Sequence, residues 1–402
     1  MSEPGPVRSR RVFYIPGYDP FPPRRYRELY RKEGEDQAEM SGYELALQGR
    51  TGGENYGWTV LAEIEGARVR SEFDVLVWSD IVRDSMEAGI LGTYWQMART
   101  AWVYIASGAL RHLMLLRKGP VIAALYPVGM LLLQALLAII AAWTLGALVS
   151  RLIYPGVGWI VAIPIIVYLL RWFRKMDGSL YAYYLMHDFA FSAQNGGANP
   201  PALEERMERF RHQIAAALSG DADEVLVVGH SSGAHLAVSI LADLVREGRV
   251  QRSGPRLAFL SLGQVIPMVS FLPKAHRLRA DLHDLSQSSS LTWVDVTAPG
   301  DGCSFALCDP VAVTGVSPER QKWPLVISAA FTQTLSNARW RELRWRFFRL
   351  HFQYLCAFDD PGDYDYFRIT AGPKTLAERF ADRASSKSRI DVAASPYTSM
   401  AA

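Results

Sequence analysis

The chain has 402 residues, a formal net charge of +3 and three cysteines. This length has room for one large α/β domain with insertions. The slight charge does not indicate nucleic acid as a partner. Three cysteines are too few for a disulfide framework and suit a reducing compartment. Cys303 and Cys308 lack a matching set of His and Cys ligands, so neither a metal nor a cofactor is expected.

Residues 1–84 are predicted to form the first part of a sheet. They begin with MSEPGPVRSRR, which lacks the apolar segment of a secretory signal peptide. Arg11–Tyr18 (RVFYIPGY) is an apolar strand that ends in Pro-Gly, and Arg24–Tyr43 is a charged, amphipathic surface helix. Trp58–Trp78 contains two or three strands, of which Phe73–Trp78 is the clearest.

The next region, 85–195, contains the most apolar part of the chain. Between Gly119 and Leu170 the only charged residue is Arg151. Because about 20 apolar residues cross a hydrocarbon core, segments at about 120–149 and 155–173 predict a transmembrane hairpin of two helices. Either two full crossings or a re-entrant hairpin keeps the flanking regions on one side of the membrane.

Basic residues predict the orientation of this hairpin. They lie outside its two ends, whereas the link between the helices carries only Arg151. By the positive-inside rule, both flanks and the domain they belong to face the cytoplasm. The protein is therefore expected to be an integral membrane protein of a bacterial-type inner membrane. The basic residues are Arg111, Arg117, Lys118, Arg171, Arg174 and Lys175.

Two aromatic-rich segments adjoin the hairpin, Ala88–Leu116 and Tyr181–Phe191. Both have the composition of segments in the membrane interface, and both are equally compatible with ordinary core or cap helices. His187 and Asp188, in the second segment, are predicted to be structural.

The third region, 196–382, contains the segment EVLVVGHSSGAHLA, Glu224–Ala237. The apolar strand Val225–Val228 is followed by a G-x-S-x-G sequence, Gly229–Gly233, and then by helical spacing in Ala234–Val245. This order is typical of a nucleophile elbow, whose glycines permit a sharp turn that exposes Ser231 at the edge of the sheet. Further strands alternate with helices and predict a doubly wound, mainly parallel sheet. These strands are Arg256–Leu262 and Leu291–Ala298.

The elbow resembles that of the α/β-hydrolase superfamily of serine esterases, lipases and thioesterases. The resemblance covers scattered motifs and implies that fold, a Ser–acid–His triad in that chain order, and an oxyanion hole of two backbone amides. Ser231 is then the nucleophile, and the amides of Ser232 and Tyr18 are the oxyanion donors. At Tyr18 this chain has Pro16-Gly17 where relatives often have His-Gly, and a plain strand-ending turn is the alternative.

The acid expected from the resemblance follows a strand after the elbow. Asp301 comes directly after Leu291–Ala298 and is favoured, and Asp309 is the alternative. Asp295 lies inside the strand and would have to point out of it. Either loop aspartate could instead only hydrogen-bond its own backbone.

Of the eight histidines, only His351 follows this strand, so it is the predicted general base. The alternative for His351 is a partly buried structural histidine in an aromatic, arginine-rich helix.

The expected function is that of a membrane-anchored serine hydrolase. It would cleave carboxylic or thio esters of lipid or acyl substrates through an acyl-enzyme, with the bilayer as its partner. Acyl transfer by the same triad and a catalytically silent membrane scaffold are the alternatives. A channel is excluded, because the apolar segments offer no ionisable residue except Arg151. Residues 383–402 are expected to be a flexible tail.

Overall fold

The computed structural model describes residues 5–50, 52–154, 156–251 and 253–401. Within these ranges the strands are β1 Ser9–Ile15, β2 Glu44–Gly49, β3 Tyr56–Ile64, β4 Ala67–Val75, β5 Glu224–His230, β6 Arg256–Leu262, β7 Leu291–Thr297 and β8 Leu325–Ser328.

The α-helices in the same ranges alternate with these strands only in part, because a long helical run separates β4 from β5. They are α1 Arg24–Ser41, α2 Ser79–Ser85, α3 Ile90–Ala106, α4 Ala109–Leu113, α5 Lys118–Leu152, α6 Gly158–Lys175, α7 Asp177–Leu180, α8 Ala182–Ala193, α9 Pro201–Leu218, α10 Gly233–Arg246, α11 Ile266–Ser270, α12 His276–Gln287, α13 Pro310–Thr314, α14 Phe331–Thr334, α15 Asn337–Leu343, α16 Phe347–His351, α17 Tyr366–Ala371 and α18 Leu376–Arg379.

All these strands belong to one sheet in the order β2-β3-β4-β1-β5-β6-β7-β8. Neighbouring strands from β4 to β8 are parallel, and the pairs β2–β3 and β3–β4 are antiparallel. The predicted α/β class and mainly parallel sheet are confirmed. β2 was not expected. It lies at the edge of the sheet and none of its side chains is buried, so its sequence lacks the apolar run of a central strand.

Side chains of the central strands alternate between two apolar layers. Val12 and Tyr14 of β1 pack on the side of α1, and Phe13 and Ile15 pack on the side of α9, α10 and α12. β5 is buried along its whole length. Burial on both faces explains why its sequence is a continuous apolar run rather than an alternating one.

The order of the strands places a crevice between β1 and β5. After β1 the chain moves to one side of the sheet and forms β2, β3 and β4, whereas after β5 it moves to the other side and forms β6, β7 and β8. In open α/β sheets, ligands bind outside the carboxyl ends of the strands at such a reversal. The Pro-Gly turn after β1 and the G-x-S-x-G turn after β5 lie at this position.

An ion pair joins the opposite ends of the same two strands. Arg10 of β1 donates to Glu224 of β5 over 2.6 Å, and both side chains are buried. Arg10 also donates to the carbonyls of Gly372 and Lys374, and Glu224 accepts from the Leu376 amide. The pair therefore also holds the segment between α17 and α18 against the sheet.

The predicted helical region 85–195 contains α3 to α8. α8 packs against α3 and against the first part of α5, around the buried Leu131. α6 packs along α5, with Gly158 closely opposite Gly146. Among the described residues, α5 is the one helix long and apolar enough to span a membrane, a test of length and composition alone. Pro155, the first residue of the second predicted span, lies outside the described residues.

Residues 383–401, expected to be a flexible tail, make hydrogen bonds to the sheet domain, and Ala402 lies outside the described residues. Ile390 exchanges backbone hydrogen bonds with Leu307 and Asp309, at 2.7 and 2.9 Å, and Ala394 donates to the Val313 carbonyl. Ser399 accepts from the Arg279 guanidinium. These contacts use mainly backbone groups, which no apolar periodicity of the sequence reveals.

We predict that Glu224→Gln lowers the free energy of unfolding by about 3–5 kcal/mol, because it leaves the Arg10 charge buried and uncompensated. Chemical denaturation in detergent measures the change. The control is Glu63→Gln, which breaks an exposed ion pair with Arg68 and should cost at most about 1 kcal/mol. Equal effects of the two substitutions would contradict a structural role for the buried pair.

Candidate active site

Ser231 lies in a strained turn between β5 and α10. Its φ is +55°, a left-handed conformation that costs a non-glycine residue about 1–2 kcal/mol. Its amide donates to the Leu262 carbonyl over 2.9 Å, and its carbonyl accepts from the Ala234 amide. Strain held in place by surrounding hydrogen bonds is frequent at functional positions.

Glycines let the turns after β1 and β5 touch. A Cβ added to Gly17 would lie 2.9 Å from the Cβ of Ser231, and one added to Gly233 would overlap the Ile15 carbonyl oxygen. Both positions therefore require glycine for space rather than for φ. The G-x-S-x-G signature and the Pro-Gly turn are thus parts of one packed contact.

Asp301 and His351 form a buried pair. The Nδ1 of His351 lies 2.8 Å from Oδ2 of Asp301, and the two residues are 6% and 2% exposed. Asp301 also accepts from the Cys303 amide and the Tyr354 hydroxyl, at 2.9 and 3.0 Å. A carboxylate can only accept, so His351 donates from Nδ1 and keeps Nε2 as the available acceptor nitrogen.

The pKa of Asp301 reflects two opposed effects. Burial alone raises the pKa of this carboxyl, but the nearby His351 ring and the hydrogen bonds donated to the carboxylate outweigh burial and lower the pKa. Asp301 is therefore ionised at neutral pH, as an acid that orients a histidine must be.

The alternative acids do not contact His351. Asp309 caps the N-terminus of α13, where it accepts from the Val311 and Ala312 amides and from Gln321. Asp295 accepts from the Ser261 hydroxyl inside the sheet. Of the three aspartates weighed from the sequence, the structure brings Asp301 to the histidine.

Ser231 and His351 line the same cavity, together with Gly17, Tyr18 and Ser232. Within the described residues no hydrogen bond joins the Ser231 hydroxyl to the imidazole, and such bonds are often long before substrate binds. Gly263, with φ +53°, makes room for the ring, since a Cβ there would lie 3.1 Å from Cε1 of His351.

The backbone amides of Tyr18 and Ser232 have no acceptor among the described residues. Both residues are buried and line the cavity beside Ser231. Buried N–H groups without a partner are rare in folded proteins. Two such groups beside a strained serine are suited to an oxygen that acquires negative charge during a reaction.

Asp188 is a titratable cavity residue that the sequence did not assign to the site. It was expected to be structural, but it lies in the cavity with Ser231 and His351. Burial raises the pKa of its carboxyl to about 7, although the nearby His351 lowers it in part. Nothing in the sequence around Asp188 predicts this position, because α8 precedes β5 by more than thirty residues and reaches the cavity only through packing.

The nearby Asp301, Cys303 and His351 have ligand atoms within 4.8 Å of one another. Two features disfavour a metal at this position. The atoms of Asp301 and His351 already share a hydrogen bond. Burial and the adjacent Asp301 raise the pKa of the Cys303 thiol, whereas metals bind thiolates. The donor set fits an acid–base pair better than a metal centre.

Comparison of the chain with protein-family models, with curated proteins and with solved structures finds no match.

His235, in the first turn of α10, makes the stability of this region dependent on pH. It is 8% exposed, and burial lowers its pKa to about 4. In the unfolded chain a histidine takes up its proton near pH 6.5. Between these values the unfolded state binds more protons, so stability falls as the pH falls.

We predict that His235→Gln reduces the slope of the unfolding free energy against pH by about 1.4 kcal/mol per pH unit, which is the contribution of one bound proton. Urea unfolding in detergent from pH 7 to pH 4.5 measures the slope. The same variant at pH 7 gives the separate cost of altered packing. An unchanged slope would show that His235 is protonated equally in both states.

Proposed function

We propose that the protein is a serine hydrolase of the α/β-hydrolase type that cleaves carboxylic or thio esters through an acyl-enzyme. The observation that carries the proposal is the buried Asp301–His351 pair, which lines the same cavity as the strained Ser231. The order of these residues along the chain, serine, aspartate and histidine, is the order in that superfamily.

In the proposed reaction, the Ser231 oxygen attacks the ester carbonyl while Nε2 of His351 takes the hydroxyl proton. The carbonyl oxygen becomes an oxyanion, which accepts from the amides of Tyr18 and Ser232. His351 then gives its proton to the departing alcohol or thiol, and the acyl group remains on Ser231. Attack by water, deprotonated in turn by His351, releases the acid and restores the serine.

Asp301 does not exchange a proton in this scheme. Its ionised carboxylate holds the His351 ring in one tautomer and stabilises the imidazolium that forms. Transfer of the acyl group to an acceptor other than water would use the same residues, and free acid and a new ester are distinguishable products.

We also propose that α5 and α6 form a hairpin in a lipid bilayer. The part of α5 from Leu132 to Leu152 packs on α6 and is otherwise largely exposed. Its 21 residues extend about 30 Å, which is the thickness of a hydrocarbon core. An apolar surface of this size is unfavourable in water. The exposed large side chains are Leu132, Leu133, Leu136, Leu137, Ile139, Ile140, Trp143, Leu145, Leu148 and Leu152 in α5, and Trp159, Ile160, Ile163, Val167, Tyr168 and Trp172 in α6.

A basic and aromatic surface lies where α5 leaves the sheet domain. Gly119 of α5 and the ring of Phe347 both pack on Gly302, next to Asp301. Trp345, two residues before Phe347, is 71% exposed, and the Arg344 guanidinium lies over its ring. Exposed aromatic rings and cations are favoured at the surface of a bilayer, especially on its cytoplasmic side. The site then faces the cytoplasm.

The position of the cavity supports an acyl or lipid substrate. Pro120 and Ala123, in the first two turns of α5, line it together with Ser231. Its other walls are mainly apolar, with Leu185, Phe189, Val265, Met268, Phe348 and Phe352. A site at the base of a membrane helix has substrates in the bilayer at high local concentration.

Labelling by a fluorophosphonate probe tests the catalytic assignment. We expect the detergent-extracted protein to be labelled, Ser231→Ala to lose labelling completely, and His351→Ala and Asp301→Asn to react at least about 10³-fold more slowly. Asp309→Asn is the matched control for Asp301→Asn, since asparagine also caps a helix, and it should label at the wild-type rate. Full labelling of Ser231→Ala would exclude Ser231 as the nucleophile.

Cysteine accessibility tests the hairpin. In a chain whose Cys303, Cys308 and Cys356 are replaced by serine, we expect Tyr154→Cys, in the link between α5 and α6, to react with an impermeant maleimide only in right-side-out membrane vesicles. Lys387→Cys, on the exposed surface of the sheet domain, should react only in inverted vesicles, because two crossings place these residues on opposite sides. Reaction of both from the same side would exclude full crossing.

A further inference from the structure

Asp188 is a carboxyl group in the cavity that the proposed reaction does not use. It lies on α8, which covers the cavity, and it is only partly exposed. Among the described residues, its carboxylate has neither a hydrogen-bond donor nor a cation within ion-pair distance. A carboxyl group removed from water without a donor is costly.

The hydroxyl groups close to Asp188 donate elsewhere. Tyr104 donates to the Met268 carbonyl over 2.9 Å, and Tyr184 donates to the carbonyl of Tyr18. The Tyr18 hydroxyl is 2.6 Å from Ser85, whose own proton goes to a backbone carbonyl, so Tyr18 is the donor of that bond.

These contacts leave the cavity as the place from which Asp188 can receive a donor. The side chain is partly exposed to the cavity, where water can hydrate it until a substrate takes the place of that water. The cavity walls around it are mainly apolar, and their polar groups include Ser192 of α8 and Cys303, which interacts with the carboxyl group electrostatically.

The side of the cavity on which Asp188 lies follows from its neighbours. The carboxyl group interacts electrostatically with His351 and with the Cys303 thiol. In the proposed reaction, His351 returns its proton to the departing alcohol, so the alcohol part of an ester lies beside this histidine. Asp188 is therefore close to the alcohol part rather than to the far end of the acyl chain.

Resting on the proposed function, we propose that Asp188 binds a hydrogen-bond donor, a hydroxyl or an ammonium group, on the alcohol part of the substrate. The favoured substrates are then acyl esters of a polyhydric alcohol or an amino alcohol. Esters of simple alkyl alcohols are disfavoured, because they bring no donor and leave the carboxyl group desolvated without a partner.

The raised pKa of Asp188, about 7, is compatible with both donors. An ammonium group stabilises the ionised carboxylate and lowers this pKa, whereas a hydroxyl group hydrogen-bonds to either protonation state. Esters that carry either a hydroxyl or an ammonium group distinguish these two donors.

The experiment measures kcat/KM of the full-length protein in detergent for four octanoyl esters of similar size. The 2-hydroxyethyl ester carries a hydroxyl, the 2-(dimethylamino)ethyl ester carries an ammonium N–H, the choline ester carries a cation without a donor, and the propyl ester carries neither. We expect at least one of the two donor esters to exceed the propyl ester by about 10- to 100-fold.

Variants connect this preference to Asp188. Asp188→Leu should remove the preference for the donor ester over the propyl ester. Asp188→Asn should keep part of a preference for the hydroxyl and lose a preference for the ammonium group, because an amide accepts a hydrogen bond but carries no charge. Asp84→Leu, an exposed position on α2 outside the cavity, is the control and should keep the wild-type ratio.

Three results would overturn the proposal. The first is hydrolysis of the propyl ester with no preference for a donor ester, which leaves the hydrolase function standing. The second is an unchanged ratio in Asp188→Leu and Asp188→Asn. The third is a kcat/KM for the choline ester equal to that for the best donor ester, which would show that Asp188 attracts a cation without a hydrogen bond. If the wild type neither labels nor hydrolyses any of the esters, the proposed function fails and this inference fails with it.

Discussion

The contact between the turns after β1 and β5 determines the geometry of the whole site. Gly17 leaves the space that Ser231 occupies, and Gly233 lets the start of α10 approach the Ile15 carbonyl. Ser231, the proposed nucleophile, and the amides of Tyr18 and Ser232, which have no acceptor among the described residues, are consequently positioned by backbone packing between adjacent parallel strands. Backbone groups held in this way need little reorganisation when charge develops, which is the condition for effective stabilisation of an oxyanion.

The opposite ends of the same strands are held by a different interaction. The buried pair of Arg10 and Glu224 joins β1 to β5, and its remaining hydrogen bonds go to the chain between Gly372 and Leu376. A buried ion pair of this kind contributes little net stability over apolar residues, but it is strongly unfavourable when broken. A slip of one residue between the strands would separate the pair and reverse every side chain of the strand. The pair thereby keeps the two turns of the candidate site in register.

The parts of the molecule that could be predicted are those encoded by neighbouring residues. The elbow around Ser231 and the turn before Tyr18 have local signatures, and the 35-residue α5 follows from continuous apolar sequence. Asp301 could be ranked first because it directly follows a strand, whereas its contact with His351 spans fifty residues and only the fold shows it. The cavity position of Asp188 and the contacts of the segment after residue 383 were not foreseen, for the same reason. Their positions depend on packing between distant elements, and their own sequences contain no periodicity or motif.

The placement of the helical region explains how one chain can combine the proposed membrane helix with the candidate site. The region enters the sequence between β4 and β5, and its helices α5 and α8 cover the carboxyl ends of the parallel strands, where ligands bind in open α/β sheets. The region therefore supplies the apolar walls of the cavity as well as the helices proposed to lie in the bilayer. Because Gly119 at the start of α5 packs directly on Gly302, beside Asp301, the loop that carries the proposed acid is in contact with the helix proposed to enter the bilayer. Removal of α5 would expose the cavity and remove this contact with the Asp301 loop, so the proposed anchor and the candidate site share one packed surface.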